Sequence, residues 1–126
     1  MARVKIGMVG AGSGRGQSWM QSLSKLTRRS DLFEFCGFCE VNQEKRAVAE
    51  RRWQVRGYAS LLEMLDEAQP DAVLNAAPPD ANPMTLGVCA ARGVHVMTEI
   101  PIAPTTGIAR WMVETAREAG IVLEVA

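Results

Sequence analysis

Apolar residues follow two rhythms along this chain. Short runs in which most positions are apolar alternate with longer stretches in which apolar residues recur every three or four positions. The first rhythm suits strands buried on both faces and the second suits helices with one inward face. Val4, Ile6, Met8 and Val9 predict a first strand, followed at once by Gly10, Gly12, Gly14 and Gly16. A helix then begins near Gly14 to Gly16 and runs to about Leu26, with Trp19 or Met20, Leu23 and Leu26 inward. Arg28 and Arg29 suit its negative pole, and Ser30 and Asp31 turn the chain into a second strand, Leu32 to Cys39. Asn42 is placed to cap a helix from Gln43 to about Trp53, and its many charges read as a solvated face. Val55 to Tyr58 predicts a short third strand, and Ser60 with Glu63 has capping-box spacing ahead of a helix through about Ala68.

The second half repeats the alternation. Pro70 closes a connection into a fourth strand, Asp71 to Ala76; two prolines then stop the strand, and a helix restarts with Asn82 as cap and Pro83 in its first position. That helix ends near Arg92 at Gly93, and Val94 to Thr98 forms a fifth strand. Thr105 or Thr106 caps a last helix through Ala119, Gly120 ends it, and Ile121 to Val125 is a sixth strand. Strands alternating with helices require right-handed crossovers. The expected fold is therefore α/β: a three-layer, doubly wound, mostly parallel six-stranded sheet with helices on both faces.

A chain of 126 residues suits one domain, and its 14 basic and 14 acidic residues cancel. A balanced charge gives no field to gather nucleic acid or an anionic membrane. No apolar run approaches the roughly 20 residues that span a bilayer, and the first residues read as a strand rather than a signal peptide, so a cytoplasmic protein is expected. Three cysteines, Cys36, Cys39 and Cys89, make an odd count with no disulfide framework. Cys36 and Cys39 form a C-x-x-C within a strand, where residues three apart point to opposite faces, so both are expected to be core thiols and no metal site is expected.

The glycines carry the chemistry. A strand, a glycine turn and a helix make a dinucleotide-binding unit, in which the turn lets backbone N–H groups approach a diphosphate at the positive end of the helix. The spacing is longer than G-x-G-x-x-G by one residue, with Arg15 where the last glycine would stand and Gly16 after it. Glu40, at the carboxyl tip of the second strand, is placed to accept hydrogen bonds from both hydroxyls of an adenine ribose and to repel a 2′-phosphate. NAD is thus the expected cofactor, with NADP open because Arg15 and Arg46 would offset the repulsion. Ligands in open parallel sheets lie beyond the carboxyl ends of the strands. The expected cofactor-binding residues are Gly10, Gly12, Ser13, Gly14, Arg15 and Gly16 of the turn, Glu40, Ala77, Pro78, Pro79 and Asn82 after the fourth strand, and Glu99 and Pro101 after the fifth.

From end to end the chain resembles the amino-terminal domain of the glucose-fructose oxidoreductase, inositol dehydrogenase and rhizopine catabolism (Gfo/Idh/MocA) family. The resemblance rests on V-K-I-G-M-V-G-A-G-S-G-R-G, F-E-F-C-G-F-C-E-V-N, D-A-V-L-N-A-A-P-P-D and A-A-R-G-V-H-V-M-T-E-I-P. It implies a nicotinamide-dependent oxidoreductase acting on a sugar, polyol or related carbon–oxygen centre. Two positions depart from the family pattern. The lysine of its Glu-Lys-Pro segment is Ile100, and the histidine that often follows the Pro-Pro loop is Asn82. Isoleucine has neither a proton to exchange nor a charge to offer an alkoxide, so no residue of this chain is assigned a catalytic role. His95, the one histidine, is expected mid-strand in a structural role. Family members usually add a larger α+β domain that supplies the substrate pocket and the homo-oligomer interface. Residues 1–126 are therefore expected to be a cofactor domain that meets substrate only with a further domain. A non-catalytic NAD-binding or sensing protein, and a family lyase or hydrolase that holds NAD for transient oxidation, are the alternatives.

Overall fold

The computed structural model describes residues 2–126. Six strands and five α-helices alternate: β1 (Val4–Val9), α1 (Gly14–Arg29), β2 (Phe33–Cys39), α2 (Gln43–Trp53), β3 (Gly57–Tyr58), α3 (Leu61–Ala68), β4 (Ala72–Asn75), α4 (Asn82–Ala91), β5 (His95–Thr98), α5 (Thr106–Ala119) and β6 (Leu123–Val125). A 3-10 turn, Pro79–Ala81, leads into α4. Every strand pair is parallel, and the sheet order is β3-β2-β1-β4-β5-β6. The chain winds outward from β1 in one direction and from β4 in the other. The order therefore reverses between β1 and β4, which is where a crevice opens in such a sheet.

Each face of the sheet has its own core. On one, Met20 and Leu23 of α1 and Ala49 of α2 cover Ile6, Met8, Phe35 and Phe38. On the other, Met64 and Leu65 of α3, Leu86 and Cys89 of α4, and Met112 and Ala116 of α5 cover Val73 and Val96. Phe38, Met8, Met20, Met64, Leu86 and Val73 are wholly removed from water. Among the described residues no helix is long and apolar enough to cross a membrane.

Several local expectations need correction. Helix α1 continues to Arg29 because nothing breaks it before Ser30, whose N–H bonds to Leu26 O; Leu26 is exposed rather than inward. Strand β3 has only two residues, since Val55 instead packs as loop against the α1–α2 core. Strand β6 loses Ile121 and Val122: the Ile121 N–H is drawn back to Ala116 O at the end of α5, and the Val122 N–H goes to His95 Nδ1. A register shift between Ile6 and Gly7 against β2 places one extra residue in that strand. The shift defeats the simple alternation, so Cys36 and Cys39 face the same core layer instead of opposite faces. Both are free, and burial pushes each thiol up to about 11, with Cys89 at about 12. Thiols so protonated are core residues, and among the described residues no group of three or more His, Cys, Asp or Glu is arranged to hold a metal. His95 opens β5 rather than lying mid-strand; it is exposed, and its Nδ1 accepts from Val122 N–H at 3.0 Å, joining β5 to the segment before β6.

Candidate dinucleotide cleft

The turn after β1 is fixed by three tight contacts. Gly10 adopts φ +82°, and a Cβ there would lie 2.5 Å from the Ala77 amide nitrogen, so the ends of β1 and β4 touch directly at the switch point. A Cβ on Gly16 would fall 2.0 Å from Gly10 O, and one on Gly12 would fall 1.9 Å from Oε1 of Glu40. Gly14 has nothing within 4 Å of its Cβ position. The extra residue in the motif thus lengthens the turn at an open point. Ser13 caps α1, with Oγ accepting from Gly16 N–H at 2.8 Å. The amides of Gly14 and Arg15, in the unpaired first turn, find no acceptor among the described residues. Two free N–H groups at a positive helix end, with no acidic residue in the turn, fit an anionic group. The bare backbone at Gly12 makes room for the Glu40 carboxylate over the turn, which a Cβ would displace.

Two recesses adjoin at this edge. One, of about 510 Å³, runs from Gly10, Gly12 and Ser13 to Glu40, Val41 and Lys45, with Ala77, Pro78 and Ala81 opposite. The other, of about 530 Å³, is lined by Ser13, Arg15, Ala77, Pro78, Glu99 and Ile100. They share Ser13 and the Ala76–Pro78 stretch, so a single groove spans the strand ends from β2 to β5. Glu40 sits just past β2, one carboxylate oxygen accepting from Asn42 N–H at 3.2 Å and the other above Gly12. Of the two arginines expected to offset its charge, neither bonds to its carboxylate. Arg46 donates to the Glu40 main-chain oxygen at 2.9 Å, and Arg15 is bound at the other end of the groove.

There Glu99 Oε1 accepts from Arg15 Nε and from Trp19 Nε1, each at 2.5 Å. The bond from the Trp19 indole and then that from Arg15 hold the Glu99 carboxyl below its ordinary range. Ile100 follows, strongly exposed at the groove wall.

Asn82 departs most from expectation. It does not cap α4: Ala81 takes the cap position without a side-chain bond, Asn82 is already helical, and Pro83 falls to the second position. Its side chain is buried beneath the groove. Oδ1 accepts from Asn75 Nδ2 at 2.6 Å, and Nδ2 donates to Ile102 O at 2.8 Å and Pro101 O at 3.4 Å. Asn75 also donates to Thr98 Oγ1 at 3.1 Å and accepts from Ala77 N–H at 3.2 Å. This network ties the loops after β4 and β5 together from below. Of the sequence-derived residues, the structure gathers Gly10, Gly12, Ser13, Arg15, Glu40, Ala77, Pro78 and Glu99 around the groove, with Gly14 and Gly16 completing the turn. Pro79 begins the 3-10 turn, and Pro101, in cis linkage after Ile100, meets the site through its carbonyl. Trp19, Lys45 and Asn75 were missed as site residues. Trp19 matches a core position of α1, Lys45 a solvated charge of α2, and Asn75 an ordinary strand residue.

Residues 4–126 match the family model of an oxidoreductase family with an NAD-binding Rossmann fold. No curated protein matches the chain closely enough to count as a relative. Among solved structures, the WlbA dehydrogenase from Chromobacterium violaceum, in complex with NADH and UDP-GlcNAcA, is 28% identical with a TM-score of 0.87, covering 100% of this chain and 35% of its own. The WlbA dehydrogenase from Bordetella pertussis, with the same two ligands, is 29% identical with a TM-score of 0.86, covering 98% and 37%. Scyllo-inositol dehydrogenase from Lactobacillus casei shares the fold at 17% identity and a TM-score of 0.87, covering 98% and 36%. The chain spans about a third of the length of these structures.

Proposed function

The chain belongs to the Gfo/Idh/MocA oxidoreductase family, whose NAD-binding Rossmann fold it carries, and from that premise we propose that it is the cofactor domain of a cytoplasmic, nicotinamide-dependent dehydrogenase acting on a sugar, polyol or nucleotide sugar. The observation that carries the reading is the continuous groove from Glu40 across the glycine turn to Glu99. In it the Gly14 and Arg15 amides bind the diphosphate, Gly12 and Ser13 line its path, Glu40 accepts from the adenine ribose hydroxyls, and Ala77, Pro78, Glu99 and Ile100 border the nicotinamide half. Bound NAD supplies the hydride acceptor; this chain's residues bind and orient it. The nucleotide-sugar complexes of the two WlbA dehydrogenases support that substrate class, which a further domain would complete. Calorimetric titration tests the reading: NAD binds in the micromolar range or more weakly and NADP less tightly still, and an absence of heat for both contradicts it.

A second reading has its own support. Ile100 brings no proton or charge to the groove wall, and Asn82 is spent on loop carbonyls, an arrangement suited to a protein that binds NAD without oxidising a substrate. Ile100→Lys, assayed in the full-length protein over a panel of polyols and nucleotide sugars, separates the two. A gain of NAD reduction supports the dehydrogenase, and no gain supports the binding role.

A further inference from the structure

Arg15 stands on the first turn of α1, yet its side chain crosses the end of β4 to reach Glu99 beyond β5. The two partners are unequal. The carboxylate side chain is only 14% exposed and keeps a second donor in Trp19 Nε1, whereas the guanidinium side chain is 65% exposed and uses only Nε. Its remaining N–H groups have no acceptor among the described residues, and the guanidinium lies 6.0 Å from the Trp19 ring centroid. Beside it are the unpaired amides of Gly14 and Arg15 and the positive end of α1.

On the arginine's side the pair is open to water and salt, which screen it and weaken its hold on the guanidinium. A planar guanidinium meeting phosphate oxygens forms charge-assisted, often paired, hydrogen bonds that are stronger. A diphosphate arriving at the helix end therefore competes well for Arg15. Loss of Arg15 would leave Glu99 still bonded to Trp19, so release strands neither partner.

We propose that Arg15 is an anion-responsive latch: it is paired with Glu99 in the empty cleft and passes its guanidinium to the diphosphate of a bound dinucleotide. The latch rests on the dinucleotide reading above, and adds that Glu99 opposes binding by holding the arginine back.

That opposition gives a test with an unusual sign. Glu99→Gln removes the competitor, so NAD and ADP should bind about three- to fivefold more tightly than to the unaltered protein by calorimetry. Arg15→Gln should weaken both, and Arg15→Gln with Glu99→Gln should match Arg15→Gln alone. Adenosine, without a diphosphate, should ignore all three changes. In a Trp53→Phe, Trp111→Phe background, ADP should shift Trp19 emission and adenosine should not. Unfolding midpoints confirm that each variant is folded. NAD binding by the unaltered protein with unchanged or weaker binding by Glu99→Gln overturns the latch and spares the dinucleotide reading. No binding of NAD or ADP by the unaltered protein overturns both. A shift of Trp19 emission by adenosine equal to that by ADP also contradicts the latch.

Discussion

The two ends of the groove are built from different materials. At the Glu40 end two of the three close contacts are between backbone and backbone, Gly10 against Ala77 and Gly16 against Gly10, while Gly12 lies bare beneath the Glu40 carboxylate. At the Glu99 end they are between side chains distant in sequence: Arg15 and Trp19 on Glu99, and Asn82 on Asn75 and the Pro101 and Ile102 carbonyls. Backbone packing admits no substitute larger than hydrogen, so that end is rigid in what it accepts. A hydrogen-bonded side-chain network can exchange partners, so the other end is the one able to respond or to change its chemistry.

The contrast is strongest in the turn itself. Gly16→Ala drives a Cβ into Gly10 O, a backbone atom that cannot step aside, and should cost about 3 kcal/mol in urea unfolding and abolish NAD binding. Gly14→Ala, with open space around it, should stay within about 0.5 kcal/mol. Equal costs at the two glycines would break the claim that sterics set this end. At the other end, Asn82→Leu leaves two carbonyls without their donor, an expected loss of about 2 kcal/mol. If the network holds the loops, NAD affinity should fall with it, while Met84→Ala, exposed on the same helix, should change neither.

A smaller effect sharpens the Glu40 end. Glu40→Ala should weaken NAD about tenfold, or about 1.4 kcal/mol, and narrow the gap to NADP. Unchanged affinities for both would remove Glu40 from the site. The smallest concerns Glu99 and pH. Its folded pKa lies below the unfolded value of about 4.3, so the stability it adds is present above that value and is lost as pH falls through the folded one. Glu99→Gln should therefore flatten the fall in urea midpoint below about pH 4 relative to the unaltered protein.

The same contrast decides what was legible in the sequence. The doubly wound parallel sheet follows from alternation and handed crossovers, and the glycine turn from spacing, because both depend on neighbours along the chain. Glu40 was legible because its place depends only on where β2 ends. Failure came where a tertiary partner overrode a local rule. Asn82 has the sequence of a cap, but a buried Asn75 and two carbonyls claimed its side chain. One bulge against β1 turned Cys36 and Cys39 onto one layer. Trp19 has the spacing of a core residue, and only the fold brings Glu99 to its indole N–H.

An amide-resolved NMR titration with NAD tests the central claim most directly. The groove predicts shifts confined to Gly12, Gly14 and Arg15, the amides around Glu40, the Ala76–Ala77 stretch and the Glu99–Ile100 segment. Shifts clustered elsewhere, or none at saturating NAD, would contradict it.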